Sequence, residues 1–214
     1  GDTEADALLR TGEEQLAAIA AAASALFMKA GIAAVSMDEI AAAAGYSKAT
    51  LYVYFQNKEE IVGLLVLESM KKLYACICAA LEEERGAWEQ YLRICRALAQ
   101  YQTDFPFYFQ MALERINIDF TGEHLPEDEE TYRIGERINE KLNDFVRSGM
   151  ERGELRRDLE PRAAVFQLWG MLAGLIQLAA SKEPYIQAAM GLTREQFLES
   201  GFALLGRALK GEDA

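Results

Sequence analysis

The stretch Ser36-Met37-Asp38-Glu39-Ile40-Ala41-Ala42-Ala43-Ala44-Gly45-Tyr46-Ser47-Lys48-Ala49-Thr50-Leu51-Tyr52-Val53-Tyr54-Phe55-Gln56-Asn57-Lys58 decides the fold. Ser36 followed three residues on by Glu39 is a capping box, and it opens a short helix over about Met37–Ala44. Gly45 supplies the left-handed residue that ends that helix. Ser47 caps a second helix of about two turns, through Phe55, and Asn57 caps a third. Glu59 and Glu60 fall in the first turn of that third helix, where its dipole favours acids. Two short helices about a glycine turn, with Ile40, Ala41 and Leu51 placed to anchor them, make a helix-turn-helix. Hydroxyls, aromatics and lysines crowd the second helix, the one such a motif sets into the DNA major groove.

Outward from this stretch the pattern is helical throughout. An earlier helix is expected over about Glu13–Ala30, with Ile19, Ala22, Ala23, Leu26 and Phe27 as its apolar stripe and Gly31 as its stop. Downstream, helices are expected from Lys58 to about Glu84, Ala87–Thr103, Phe107–Ile118, Thr131–Arg152, Pro161–Ser181 and Arg194–Lys210. Gly86, Pro106, Gly153 and Glu183-Pro184-Tyr185 break them, and Thr193 caps the last. Thr121–Glu130 reads as an acidic loop. The fold class is all-α, about nine helices, divided into a helix-turn-helix head (1–57) and a helical body (58–214).

Bulk composition narrows the function. Of 214 residues, 51% are hydrophobic, enough for a sizeable core. Apolar runs such as Leu172–Ala180 are too short or broken to cross a bilayer, and no signal-peptide pattern is visible, so no membrane partner is expected. Three cysteines, Cys76, Cys78 and Cys95, form no framework and fit a reducing cytoplasm. Cys76 and Cys78 stand two apart on a helix and point to different faces, so no metal site is expected. The net charge of −12 argues against non-specific nucleic-acid binding, which leaves a basic footprint. Within residues 1–60, nine acids outnumber four bases (Arg10, Lys29, Lys48, Lys58), so any DNA contact relies on placement.

At Ile19–Val62 the chain resembles the TetR/AcrR family of one-component transcriptional regulators. The likeness rests on Ile19, Ala22-Ala23, Leu26-Phe27 and Gly31, then Ser36, Ile40-Ala41 and Ala44-Gly45-Tyr46-Ser47, then Thr50-Leu51-Tyr52, Tyr54-Phe55 and Asn57-Lys58-Glu59. It implies that the helix Ser47–Phe55 lies in the major groove. Ser47, Lys48 and Thr50 would face bases or phosphates, and Ala49 a thymine methyl. The Tyr52 and Tyr54 hydroxyls would reach the backbone, while Ser36 and Lys58, at helix N-termini, would clamp phosphates. Gly45 and Tyr46 would form the turn and its tip. Tyr52 serves equally as a packed ring, and Ser36 is a cap in either case. Glu13-Glu14-Gln15-Leu16 stands where many family members carry basic residues, which implies few ionic contacts with DNA.

The resemblance also implies a body that binds a small ligand and dimerises. Aromatic and sulfur side chains gather there independently. Trp88, Tyr91, Phe105, Tyr108, Phe109, Met111, Phe166 and Trp169 are candidates to line an apolar pocket, and each equally suits an ordinary core. Glu89, Asp104 and Glu114 would favour a cationic ligand or form a solvated face. Gly170, Ala173, Gly174, Gly201, Ala203 and Gly206 let helices approach closely, either within the chain or across a four-helix dimer interface.

The function these readings imply is a ligand-responsive transcriptional repressor. It would bind palindromic double-stranded DNA as a homodimer and be released by a small hydrophobic or amphipathic effector, without a cofactor. An enzyme is disfavoured: His124 is the sole histidine, and no nucleophile–base set assembles around it. The alternative is a helical adaptor with a head of this type that binds a protein instead of DNA.

Overall fold

Local capping sets the helix ends in the computed structural model, which describes residues 4–114 and 126–212. Ten helices run through them: α1 (Glu4–Ala30), α2 (Met37–Ala44), α3 (Lys48–Tyr54), α4 (Lys58–Ala80), α5 (Ala87–Asp104), α6 (Pro106–Glu114), α7 (Pro126–Glu151), α8 (Pro161–Ser181), α9 (Glu183–Met190) and α10 (Arg194–Arg207). The Ser36 capping box closes as expected: Glu39 N–H donates to Ser36 Oγ at 3.2 Å, and Ser36 N–H donates to Glu39 Oε2 at 2.8 Å. Ser47 and Asn57 cap α3 and α4 by accepting from Thr50 N–H and Glu60 N–H, and Thr193 with Gln196 closes a second capping box at α10.

Helix ends depart from expectation where charge overrides apolar spacing. α4 stops at Ala80, because Glu82, Glu83 and Glu84 would have placed three acids at the negative end of its dipole. α7 begins at Pro126, so the latter half of the expected acidic loop is its first turn, with proline leading and acids at the positive end. α1 starts at Glu4, extended by Ala, Leu and Glu residues that favour helix. The expected bare turn at Glu183-Pro184-Tyr185 is instead the start of α9, with Pro184 in its first turn and Gly191 (φ 67°) at its end. Residues 115–118, the end of the expected sixth helix, and His124 lie outside the described residues.

Two apolar cores result. The head core joins Ile19, Ala23 and Phe27 of α1 to Ile40, Leu51 and Phe55, and the first turns of α4 (Ile61, Leu65) close it. Phe107 and Met111 of α6 pack there too. The body core gathers α4 from Leu67 onward with α5, α7, α8 and α10. α4 therefore belongs to both.

α8 buries Ala164, Val165, Leu168, Leu172, Ala173, Ile176 and Ala179. Its mean hydropathy of 1.6 over its most apolar window makes it long and apolar enough to cross a bilayer by composition, against the expectation from the shorter runs. Its packed face belongs to the body core, and its other face leaves Phe166, Gly170, Met171, Gly174 and Leu178 at least partly exposed. The small residues divide accordingly. Gly170 and Gly174 face open space, whereas Gly201 lies against Leu175 and Gly206 against Tyr91 and Trp88. A Cβ on Gly206 would intrude on both rings, and Tyr91 also donates its hydroxyl to Phe202 O at 2.8 Å. Gly206→Ala is expected to cost about 1–3 kcal/mol by overpacking and to lower Tm by roughly 5 °C, measured by calorimetry.

Candidate DNA interface and a cavity in the body

The turn between α2 and α3 is a Schellman motif. Gly45 adopts φ 79°, its N–H reaches Ala42 O at 3.2 Å, and the Tyr46 N–H reaches Ala41 O at 3.0 Å. This sets α3 so that Leu51 is buried while Ser47, Lys48, Ala49, Tyr52 and Val53 are exposed, Val53 at 79%. Ser47 Oγ accepts from Thr50 N–H at 3.1 Å and lies 2.9 Å from Thr50 Oγ1. The exposed edge of α3 thus carries hydroxyls, a methyl group and one ammonium. Lys48 Nζ pairs with Asp38 Oδ1 at 3.0 Å and lies 5.9 Å from the Tyr52 ring centre. Hydrogen bonding to the Asp38 carboxylate holds that ammonium above the usual lysine range.

Two candidate contacts have work inside the head. Tyr54 donates its hydroxyl to Gln15 Oε1, tying α3 to α1. Lys58 Nζ donates to Ile32 O at 2.7 Å and Val35 O at 2.9 Å, with Ala33 O at 3.5 Å, so it fastens the loop between α1 and α2 to the start of α4. The sequence reading missed this role; the signal was the run of uncapped carbonyls after Gly31. Tyr46 is half-buried against the head core, and Ser36 is exposed with its capping bonds made. Lys58→Met is expected to cost about 1–2 kcal/mol through two lost hydrogen bonds to carbonyls. A chemical-denaturation midpoint checks it.

In the body, α4, α5, α6, α7 and α8 enclose a chamber of about 350 Å³. Met70, Leu73 and Ile77 form its α4 wall, Tyr91, Ile94 and Leu98 its α5 wall, and Ile138, Leu142 and Phe145 its α7 wall. A second chamber of about 350 Å³ is polar, with Glu136, Asn139, Glu140, Asn143, Arg147 and Arg162 around it. The two meet at Asn139, Val165 and Phe166.

Of the candidate pocket residues, Tyr91, Phe166 and Trp169 line the apolar chamber. The other five do not. Trp88 packs on Tyr91 and under Lys210. Phe105 and Tyr108 stack on one another beside Lys72. Phe109 is wholly buried between Tyr101 and Trp169, and Met111 sits in the head core. The aliphatic walls were missed because Leu and Ile carry no signal that separates a chamber wall from a core. Glu89 is bound to Arg85, and Asp104 accepts from Gln100, away from the chamber. Burial pushes the Cys76 thiol up to about 11 and the Cys95 thiol up to about 12, so both stay protonated at neutral pH. Among the described residues no cluster of three metal-ligating side chains occurs.

A helix-turn-helix head whose second helix presents hydroxyls and a cation, joined to an all-helical body, defines a DNA-binding regulator. Residues 19–65 match the model of bacterial regulatory proteins of the tetR family. Solved structures share the whole architecture. PfmR of Thermus thermophilus, a TetR-family transcriptional regulator, is 27% identical over 90% of this chain and 98% of its own, with a TM-score of 0.69. KstR2, the ketosteroid transcriptional regulator of Mycobacterium tuberculosis, is 17% identical over 92% and 95%, with a TM-score of 0.71. FadR, the fatty acid degradation regulator of Bacillus halodurans, is 18% identical over 89% and 94%, with a TM-score of 0.68. Residues 19–65 therefore carry a DNA-binding domain of the tetR type, and the chain as a whole is similar in fold to TetR-family transcriptional regulators.

Proposed function

We propose that the chain is a cytoplasmic repressor that binds a palindromic operator as a homodimer and is released by a small hydrophobic or amphipathic effector. One observation carries this reading. α4 is a single 23-residue helix that closes the head core with Ile61 and Leu65 and walls the chamber with Met70, Leu73 and Ile77. A ligand that prefers a chamber with α4 displaced therefore shifts the head with it, and the spacing of the two α3 helices on DNA changes. The apolar chamber agrees with the hydrophobic chemistry named for two of the structural relatives, ketosteroid and fatty acid. The exposed apolar face of α8 supplies a surface for the second copy.

Selection of bound fragments from a genomic pool tests the DNA half. The expected result is an inverted repeat with half-sites about one helical turn, or a multiple of it, apart. Absence of any enriched sequence contradicts it. For the effector half, a compound that changes Trp169 fluorescence in a Trp88→Phe background should weaken binding to that fragment. A compound that fills the chamber and leaves DNA affinity unchanged argues against release.

One observation favours the adaptor reading instead. Lys48 and Lys58 are both engaged, by Asp38 and by backbone carbonyls, in a head with excess acid. The same selection decides between the two, since an adaptor enriches no DNA.

A further inference from the structure

The edge of α3 farthest from the head core is apolar. Leu51 is wholly buried, and Phe55 at the helix end is buried with it. Val53 stands two residues from each, which at helical spacing puts it on the opposite side. It is 79% exposed, more than any other large apolar side chain among the described residues. Ala49, one turn earlier, is exposed on the same line. Polar groups flank this ridge. Lys48 and Tyr52 lie on one side, with the ammonium 5.9 Å from the ring centre. Ser47 and Thr50 lie on the other, with their hydroxyls 2.9 Å apart.

Nothing within the chain accounts for Val53. It joins neither apolar core, and a branched side chain weakens a helix of only seven residues. A lone exposed valine is ordinary on a protein surface, but this one tops the helix that the head would set into a groove. It has no donor or acceptor with which to read a polar base edge. In the major groove the one methyl group a base pair presents is on C5 of thymine, and an aliphatic side chain can exclude water from it. The valine rotamer is nearly fixed in a helix, so little freedom is lost on contact. We infer that Val53 is a specificity-determining residue that selects thymine through its methyl group, so that each operator half-site carries a thymine under the Val53–Ala49 ridge. This rests on the DNA-binding reading above and names the base it prefers. Ser47, Lys48 and Thr50 remain free to meet phosphates and polar base edges.

Deoxyuridine differs from thymidine only by that methyl group. The fragment enriched by selection is made as a synthetic duplex in which uracil replaces thymine at one symmetric pair of positions at a time. Anisotropy with the full-length protein reads Kd for each duplex. One pair is expected to weaken binding about 15-fold, because burying a methyl is worth about a factor of four and the palindrome holds two. In Val53→Ala the thymine and uracil duplexes for that pair bind alike. The variant's Tm is no lower than the parent's, since alanine is the better helix former at an exposed position. Val53→Ile keeps a branched apolar end and keeps the preference for thymine. If no pair is sensitive, or if every sensitive pair stays so in Val53→Ala, the inference is overturned while the bound operator upholds the DNA-binding reading. A selection that enriches no sequence overturns both and leaves the ridge as a surface for a protein.

Discussion

Lys48→Glu is expected to abolish operator binding, raising Kd at least about 100-fold, while leaving the fold intact. Lys48 is the one lysine on α3, and it stands beside Ser47 and Thr50 on the exposed edge. Its partner Asp38 is equally exposed, and such pairs add little to stability, so Tm should move by no more than about 2 °C. On DNA the substitution acts twice in a dimer. Each copy loses a cation that can leave Asp38 for a phosphate or a guanine edge, and gains a carboxylate facing a polyanion. Anisotropy with a labelled operator fragment reads the loss. Unchanged affinity would mean that α3 does not enter the groove and would favour the adaptor.

The second large effect concerns the other end of the molecule. The double variant Leu178→Glu, Leu204→Glu is expected to turn the proposed homodimer into a monomer and to weaken binding to the full palindrome at least about 100-fold. Binding to an isolated half-site should be unaffected. Leu178 on α8 is half exposed and Leu204 on α10 is 68% exposed, so charging them costs the folded chain little. Across an interface the same glutamates would lie buried without partners, a penalty of several kcal/mol per charge. Gly170 and Gly174, with open space over both, let a second helix come close on the same face of α8. Sedimentation velocity measures the state of assembly. A dimer that survives the substitution places the interface elsewhere.

The features legible in the sequence were those decided within a few residues. The caps at Ser36, Ser47, Asn57 and Thr193 and the left-handed turn at Gly45 depend only on local hydrogen bonding, and the helix-turn-helix follows from them. Helix ends set by charge were harder, as at the glutamates after Ala80 and at Pro126, because apolar spacing says nothing about the dipole. The site in the body was least legible. Phe109 and Tyr91 follow the same helical spacing rules, yet tertiary packing turns one wholly into the core and the other onto the chamber. The better signal was polar. Asn139 and Asn143 stand four apart among Ile138, Leu142 and Val146, and amides in such a stripe need partners that an apolar core does not supply. Lys58 shows the opposite case: a cation placed like a phosphate clamp is held by carbonyls of its own chain.

The most direct test is an anisotropy titration of the enriched fragment at two salt concentrations, with a scrambled fragment as control. With only four basic residues among its first 60, the protein is expected to bind as two chains per fragment. It should prefer the enriched sequence by at least about 1,000-fold and show a salt slope of about −4 or shallower. Equal affinity for both fragments, or no saturable binding even at low salt, would contradict a sequence-reading regulator.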